Sequence, residues 1–525
     1  MANKQLFKST RGRMTPPANC RNSAGGAAYA MSPEHALAQL AATGCLNSTF
    51  YASAGAQLDL VLSLCGRAEP EFVARTALYC RRRGQMKDLP ALLCASLSVL
   101  SPGLMAEVFD RVIDSPKMLR NFVQIMRSGA VARKSLGSLP KRLVRDWLDA
   151  RSDEAIFFAS VGNSPSMADI VRMVHPKPKT ASREALYGYL LGRAHDAAAL
   201  PAIVREFEAY KAAVFAGERA RESPDVPFQF LTALPWDADA WKRIAVRGSW
   251  QVTRQNLNTY ARHGALADEA VARAVAKTLA DPEQIERARV LPYQVLTAWT
   301  MASDGVPRII RTALEAALRI SLRRVPTFGG RVFVFVDVSG SMHSPVTGYR
   351  RGSTTAVRCL DVAALVAAAV LGRNPEAEVI AFNDAVVPCR LNPRDTVTTN
   401  AEKLAGLPPG GTNCSAPLRE MNRRGLAADT VIFVSDSESW MDTSPHSWRR
   451  GTETLREWEA LRQSCPRAKL VCIDVQPNTT TQAPDREDIL NIGGFSDAVF
   501  EVIGRFAREG NRAGHWVDVI NAESI

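Results

Sequence analysis

Three absences bound this chain before any motif is read. No run of about 18 uncharged apolar residues occurs among its 525, so no membrane-spanning helix is expected. The opening residues, MANKQLFKSTRGRMTPPANC, are basic but have no apolar segment behind the charges. That excludes a secretory leader and predicts a flexible basic arm over 1–20. The ten cysteines include no CxxC or similarly close pair, which argues against a zinc site or a disulfide framework. Cysteines used singly, as small apolar groups, suit a reduced, cytoplasmic protein.

What is present is ordinary in kind and uneven in distribution. Hydrophobic residues make up 46% and charged residues 22%, the balance of a globular chain long enough for roughly two to four domains. Residues 1–325 carry 44 Lys and Arg against 29 Asp and Glu, a net of +15; residues 326–525 carry 21 against 24, a net of −3. The first part is built to meet a polyanion, or is a solvated basic surface, and the second is neither.

From about Met31 to Arg324 the chain reads as successive helices. SPEHALAQLAATG (32–44), AGAQLDLVLSLCG (54–66), EPEFVARTALYCRRRG (69–84) and LPALLCASLSVL (89–100) space their apolar residues by three and four. Pro, Gly or Ser separates them. Arg81, Arg82 and Arg83 mark a basic helix C-terminus. Short helices joined by short turns predict an α-solenoid of HEAT or armadillo type over 21–325.

After Pro326 the texture changes. RVFVFV (331–336), EVIAF (378–382), TVIFVS (430–435) and KLVCIDV (469–475) are buried strands. They alternate with helical segments at 360–373, 453–465 and 495–510, which predicts a doubly wound parallel sheet over 326–525. Ligands of such sheets gather at the strands' carboxyl ends. There the sequence places Asp337, Ser339 and Ser341 after the first strand, Thr412 in a Gly-rich loop, and Asp436 after another strand. Two carboxylates, three hydroxyls and water make an octahedral shell for Mg²⁺ or another divalent cation. The order DxSxS, Thr, Asp resembles the metal-ion-dependent adhesion site of von Willebrand factor A domains. No nucleophile is paired with a base, and His343 reads as a surface histidine, so no enzyme is expected.

The basic half has its own focus. Lys117, Arg120, Arg127, Arg133, Lys134, Lys141, Arg142 and Arg145 fall within 29 residues that contain no acid. Lys141 and Arg145 share a helix face. Arg172, His175, Lys177 and Lys179 follow. Such a field binds RNA or DNA through phosphates. In WQVTRQNLNTYARHGALA (250–267), Arg254, Asn256, Arg262 and His263 are candidates for a single-strand path. Trp250, Leu257 and Tyr260 of the same stretch are read as core.

FVARTALYCRRRGQMKDLPALL, NFVQIMRSG, RKSLGSLPKRLVRDWL, VRMVHPKP and RQNLNTYARHGAL precede FVDVSGSM in this order. Together they resemble the TROVE module of the Ro ribonucleoprotein family, and GGTNCSAPL and VSDSESW are similar to that family's A-domain loops. The resemblance, closest to bacterial members, implies a ring-like α-solenoid of HEAT-type repeats closed by the A domain. It implies binding of Y RNA or similar small noncoding RNA on the outer basic surface, and of single-stranded ends of misfolded or precursor RNA near a central hole. It also implies work beside a 3′-exoribonuclease such as polynucleotide phosphorylase in RNA quality control, rRNA maturation and stress. His175 matches the family's RNA-contacting histidine. Phe158 and Gly162 stand where animal members carry a basic pair, leaving Arg172 and Lys141–Arg145 to substitute. Asn413 replaces an acidic residue common after the metal-site Thr. The expectation is thus a noncatalytic RNA-binding scaffold, with a Mg²⁺-dependent module binding an acidic protein as the alternative.

Overall fold

A computed structural model describes residues 15–44, 46–162, 164–218, 223–323, 325–349, 357–441, 451–476, 478–494, 497–509 and 515–525. Most of the basic arm expected over 1–20 lies outside these residues. Two short strands, β1 (Cys20–Arg21) and β2 (Ala27–Ala30), come first. Neither was foreseen, and both belong with the far end of the chain.

The helical domain follows as expected. The Pro33–Thr43 helix opens on Ser32, whose Oγ accepts from the His35 amide at 3.1 Å, with Pro33 in the first turn. Proline also starts the helices Pro70–Arg82, Pro102–Val112 and Pro116–Ser128. The last of these shows why they pack: Met118, Leu119, Phe122, Val123 and Met126 recur at helical spacing and are all buried. From Pro70 through Met167–Val174 most helices pack on the next or the next but one, while Pro116–Ser128 packs back on Asp88–Leu100 and forward on Met167–Val174, the pattern of stacked antiparallel pairs. Buried tryptophans tie the layers together. Trp147 Nε1 donates to the Ile113 carbonyl at 2.6 Å, and Trp250 Nε1 to that of Leu279 at 3.0 Å.

The second domain is a six-stranded sheet. Its strands are β3 (Val332–Asp337), β4 (Glu378–Phe382), β5 (Val386–Val387), β6 (Thr430–Ser435), β7 (Lys469–Asp474) and β9 (Ile489–Gly493). β8 (Thr480–Thr481) lies apart, in a small sheet with β1 and β2. The order is β5-β4-β3-β6-β7-β9, parallel except for the edge strand β5. Every residue of β3 is buried. Val332, Val334 and Val336 face one core with the Cys359–Arg373 helix. Phe333 and Phe335 face another, with Leu418, Met421 and Trp458. Alternation at period two therefore serves two apolar layers, which is why the strand reads as an unbroken apolar run.

Both ends of the helical array rest on this domain, and that closes the ring. At one end β2 pairs with β8, and the Pro33–Thr43 helix lies against β9. Gln39 Nε2 donates to Asp474 Oδ2 at 2.7 Å. At the other end the Arg308–Ser321 helix leads directly into β3. A C-terminal helix absent from the expectation, His515–Asn521, packs on Pro70–Arg82, with Arg75 Nη1 donating to the Asn521 carbonyl at 2.9 Å.

Candidate metal centre and nucleic-acid interface

The parallel register ends β3, β6 and β7 at one edge, and the predicted metal residues emerge there. Asp337 is fully buried; its Oδ1 accepts from the Ser339 amide at 2.8 Å and its Oδ2 from Ser435 Oγ at 2.6 Å. Ser339 Oγ and Ser341 Oγ are 3.3 Å apart, and Asp436 Oδ1 accepts from the Glu438 amide at 3.2 Å. The Thr412 loop is drawn in because Gly340 N donates to the Gly410 carbonyl at 2.9 Å. A Cβ on Gly410 would stand 2.8 Å from Asn383 Cγ, so only glycine lets the loop approach this closely. The Thr412 carbonyl accepts from the Trp440 and Met441 amides at 3.1 Å each. Asn413, in place of the acid, donates to the Asp384 carbonyl at 3.0 Å and so is spent on loop structure.

The charge balance of this edge is its clearest feature. Asp436 is buried, and its Oδ2 has no hydrogen-bond partner among the described residues. Burial, then Asp436, pushes Asp337 up to about 7. Burial raises Asp436, and it raises Asp474 well above the usual range. Glu438, two residues past Asp436, is completely buried, has an unpartnered Oε1, and is pushed up to about 8 by burial and then by Asp436. Among the described residues no lysine or arginine counters these shifts. Ser437 between them holds φ 58° and donates to Asp474 Oδ1 at 2.6 Å, a left-handed non-glycine residue where three loops converge. Buried carboxylates with orphaned oxygens, beside three buried hydroxyls, fit a hard divalent cation. Asp337, Ser339, Ser341, Thr412 and Asp436 would hold it. Glu438 was missed because it carries no strand-end signal of its own.

His343 departs from the expectation of an exposed residue. It is half-buried in a 3-10 turn with Nδ1 3.0 Å from Arg358 Nη1, and burial followed by Arg358 lowers its pKa. Arg358 in turn pairs with Asp361 at 2.7 Å, so the group is part of the loop's scaffold.

The basic candidates divide by what their side chains already do. Arg120 donates to the Ala159 carbonyl at 3.0 Å, Arg133 to that of Ser98 at 2.7 Å and Arg145 to that of Val174 at 2.5 Å. Arg172 pairs with Asp169 at 3.2 Å and Lys117 reaches Asp88 at 4.0 Å. Lys179, not a site candidate, is held by Asp149 at 2.8 Å. Arg127, Lys134, Lys141, Arg142, His175 and Lys177 have no ion pair among the described residues. Lys141 is half-buried and the others are exposed. They sit on neighbouring helix ends: Arg127 closes Pro116–Ser128, Lys141 and Arg142 lie on Ser138–Asp149, and His175 caps Met167–Val174 in left-handed geometry, φ 50°. The Arg120 guanidinium lies over Gly162, where a Cβ would fall 2.9 Å from Nη2. Arg120 thus occupies the space a side chain at 162 would fill, a neighbour the sequence did not indicate.

The 250–263 set is not brought into this face. Arg254 donates to Gln251 Oε1 and to the Gln294 carbonyl, both at 3.2 Å, and Asn256 to the Val252 carbonyl at 2.8 Å. His263 stacks on Trp241 at 4.4 Å. These three are occupied within the fold, while Arg262 is exposed. Trp250, Leu257 and Tyr260 are buried, as read.

A further basic feature appears where the ring closes. A cavity of about 1190 Å³ between the helical array and the A domain is lined by Arg82, Arg83, Arg289, Arg323, Arg373 and Arg508, against Glu286, Glu501 and Glu523. Arg83 is held by Glu523 at 2.8 Å, whereas Arg82, Arg289, Arg323 and Arg508 have no ion pair among the described residues. The six lining arginines come from five separate places along the chain, so no local run of charge announces the cavity.

A helical-repeat ring joined to an A domain with a metal-type loop set defines the class of this protein. Residues 331–507 match the family model of the Ro60 vWA domain, and the resemblance to the Ro ribonucleoprotein family is borne out. Over 520 residues the chain is 26% identical to the RNA-binding protein RO60 of Deinococcus radiodurans, covering 93% of this chain and 95% of that one. It is 26% identical over 263 residues to the RNA-binding protein RO60 of Caenorhabditis elegans, covering 48% and 39%. The crystal structure of the Deinococcus radiodurans RO (RSR) protein shares the fold, with a TM-score of 0.62, 24% identity, and 91% of this chain matched to 99% of that one.

Proposed function

We propose that this chain is a noncatalytic RNA-binding scaffold of Ro type. The observation that carries the reading is the cluster of Arg127, Lys134, Lys141, Arg142 and Lys177 around the 116–177 helix ends, without an ion pair among the described residues, in a chain similar over most of its length to a protein named for RNA binding. Unpaired lysines and arginines release counterions on meeting phosphates, whereas the paired ones add little. This face takes Y RNA or a similar small noncoding RNA. The arginines of the cavity suit a single-stranded phosphodiester end, such as that of a misfolded or precursor RNA. Presentation of such ends to a 3′-exoribonuclease in the cytoplasm follows from the family resemblance. No described helix is long and apolar enough to cross a membrane.

In this reading the A domain carries Mg²⁺ in a structural or docking role. When bound, the ion supplies positive charge that the buried carboxylates otherwise lack. Asp337 and Asp436 would hold it and offset its charge, with the Ser339, Ser341 and Thr412 hydroxyls as further oxygen donors.

Crosslinking RNA to the cellular protein and sequencing both partners tests the proposal. Crosslinks are expected at residues 127–177 and on the cavity arginines; their absence from both would sink it. The alternative, an acidic protein bound through the metal, draws on the exposed Phe50, Tyr349, Trp440 and Met441 around the metal edge. A protein partner indifferent to competing RNA would favour it.

A further inference from the structure

We propose that Arg75, Arg83 and Arg111 extend the cavity into a path for single-stranded RNA, and that the chain's own residues 521–524 occupy that path in the free protein. The proposal rests on the reading of the cavity arginines as a phosphodiester site. Among the described residues, every hydrogen bond that the solenoid makes to 521–524 comes from one of these three arginines. Arg83 Nε donates to Glu523 Oε1 at 2.8 Å. Arg75 Nη1 donates to the Asn521 carbonyl at 2.9 Å and also to that of Glu523. Arg111 Nη1 donates to the Ser524 carbonyl at 3.1 Å. A carboxylate and three carbonyls thus take the places that phosphate oxygens fill on guanidinium groups.

The three arginines lead out of the cavity. Arg83 and Glu523 both line it. Arg75 and the cavity residue Arg82 stand seven residues apart on the Pro70–Arg82 helix, about two turns along one side. Arg111 comes from Pro102–Val112, which packs on that helix. Arg81 does not belong to the set, since Asp114 accepts from its guanidinium at 2.8 and 2.9 Å. Asn521, Ala522 and Ser524 are exposed and Glu523 alone of the four is buried, so the segment lies on the surface with one carboxylate turned inward. The other acids near these arginines compete poorly with it: Glu501 is 3.9 Å from Arg83 and Glu71 is 3.8 Å from Arg75, and both are exposed.

RNA and residues 521–524 therefore exclude one another on the same guanidinium groups. A docked segment lowers the affinity for the strand, and a bound strand lowers the affinity for the segment by the same factor. The segment continues the His515–Asn521 helix, which packs on Pro70–Arg82, so its release also loosens one end of the closing seam.

The test uses the full chain and a fluorescein-labelled oligouridylate of about ten nucleotides, long enough for one single-strand site, with anisotropy read across a salt series. Glu523→Gln keeps the side chain's size and removes its charge. It is expected to bind the oligonucleotide about fivefold more tightly. The slope of log affinity against log salt is expected to steepen by about 0.7, one further phosphate contact on a single strand. Adding Arg83→Ala to Glu523→Gln is expected to cancel both gains. Unchanged binding in Glu523→Gln, where Arg289→Ala with Arg323→Ala weakens the parent, would overturn the role of residues 521–524 alone. No effect of Arg289→Ala with Arg323→Ala on the parent would instead remove the cavity reading, and this proposal with it. A second measurement needs no variant: the oligonucleotide is expected to speed amide hydrogen exchange across residues 515–525 of the parent, and slower or unchanged exchange there would overturn the proposal.

Discussion

Asp436 Oδ2 and Glu438 Oε1 are buried oxygens without a hydrogen-bond partner among the described residues, and they set the behaviour of the metal edge. Without an ion the folded state keeps protons that the unfolded chain gives up. Asp337 holds its proton to about 7 and Glu438 to about 8, against ordinary values of 3.8 and 4.5. For acids raised in this way stability is greatest below the unfolded values and declines as pH rises through the folded ones. A divalent cation needs the ionised carboxylates, so it opposes that decline. The rise in melting temperature caused by Mg²⁺ is therefore expected to be larger at about pH 8 than at about pH 5.5, and equal shifts would contradict the site. Asp337→Ala should abolish the Mg²⁺ shift while leaving RNA affinity within about twofold, since the basic face lies on other elements. Parallel loss of RNA binding would place the metal in the RNA interface.

At the scale of elements, the helix ends around 116–177 decide which cations are available. Lys141→Ala with Arg142→Ala removes two unpaired charges. The slope of log affinity against log salt is expected to fall by about 1.5 to 2. Arg145→Ala removes a charge already committed to the Val174 carbonyl, and is expected to act mainly through helix-end stability, at a cost of about 1 kcal/mol with little change in slope. Equal slope changes in the two variants would erase the distinction. Much of this region was legible, because an acid-free run of 29 residues is visible in one dimension. Which of its arginines face inward was not, since Arg120 and Arg133 reach carbonyls 39 and 35 residues away. Arg254 misled for the same reason, its Gln294 partner being 40 residues away, whereas Asn256 turns back on its own helix to the Val252 carbonyl.

At the scale of the whole molecule, closure matters more than any single element. Phe335 lies fully buried between Phe433 and its own layer, at 4.8 Å from that ring, and Phe335→Ala is expected to cost about 3–5 kcal/mol. Because both ends of the solenoid rest on this domain, the loss should loosen the helical half too, read as faster amide exchange in Pro33–Thr43 and Arg308–Ser321. Gln39→Leu tests the seam itself. It leaves Asp474 Oδ2 without its donor and is expected to cost about 1–3 kcal/mol, without altering the basic face.

The sequence by itself determined the strands that read as unbroken apolar runs, the helices with proline or serine starts, the charge split, and the DxSxS, Thr, Asp order. Each is local chemistry, carried by residues within a few positions of one another or at fixed spacing. Only the tertiary structure decided what distant segments do together. It folded residues 15–30 and the C-terminal helix against the closing seam, gathered arginines from residues 82 to 508 around one cavity, and brought Glu438 to the metal edge. Those groups share no spacing in the chain. They meet because a ring of helices must end somewhere, and here both of its ends are buried against one sheet.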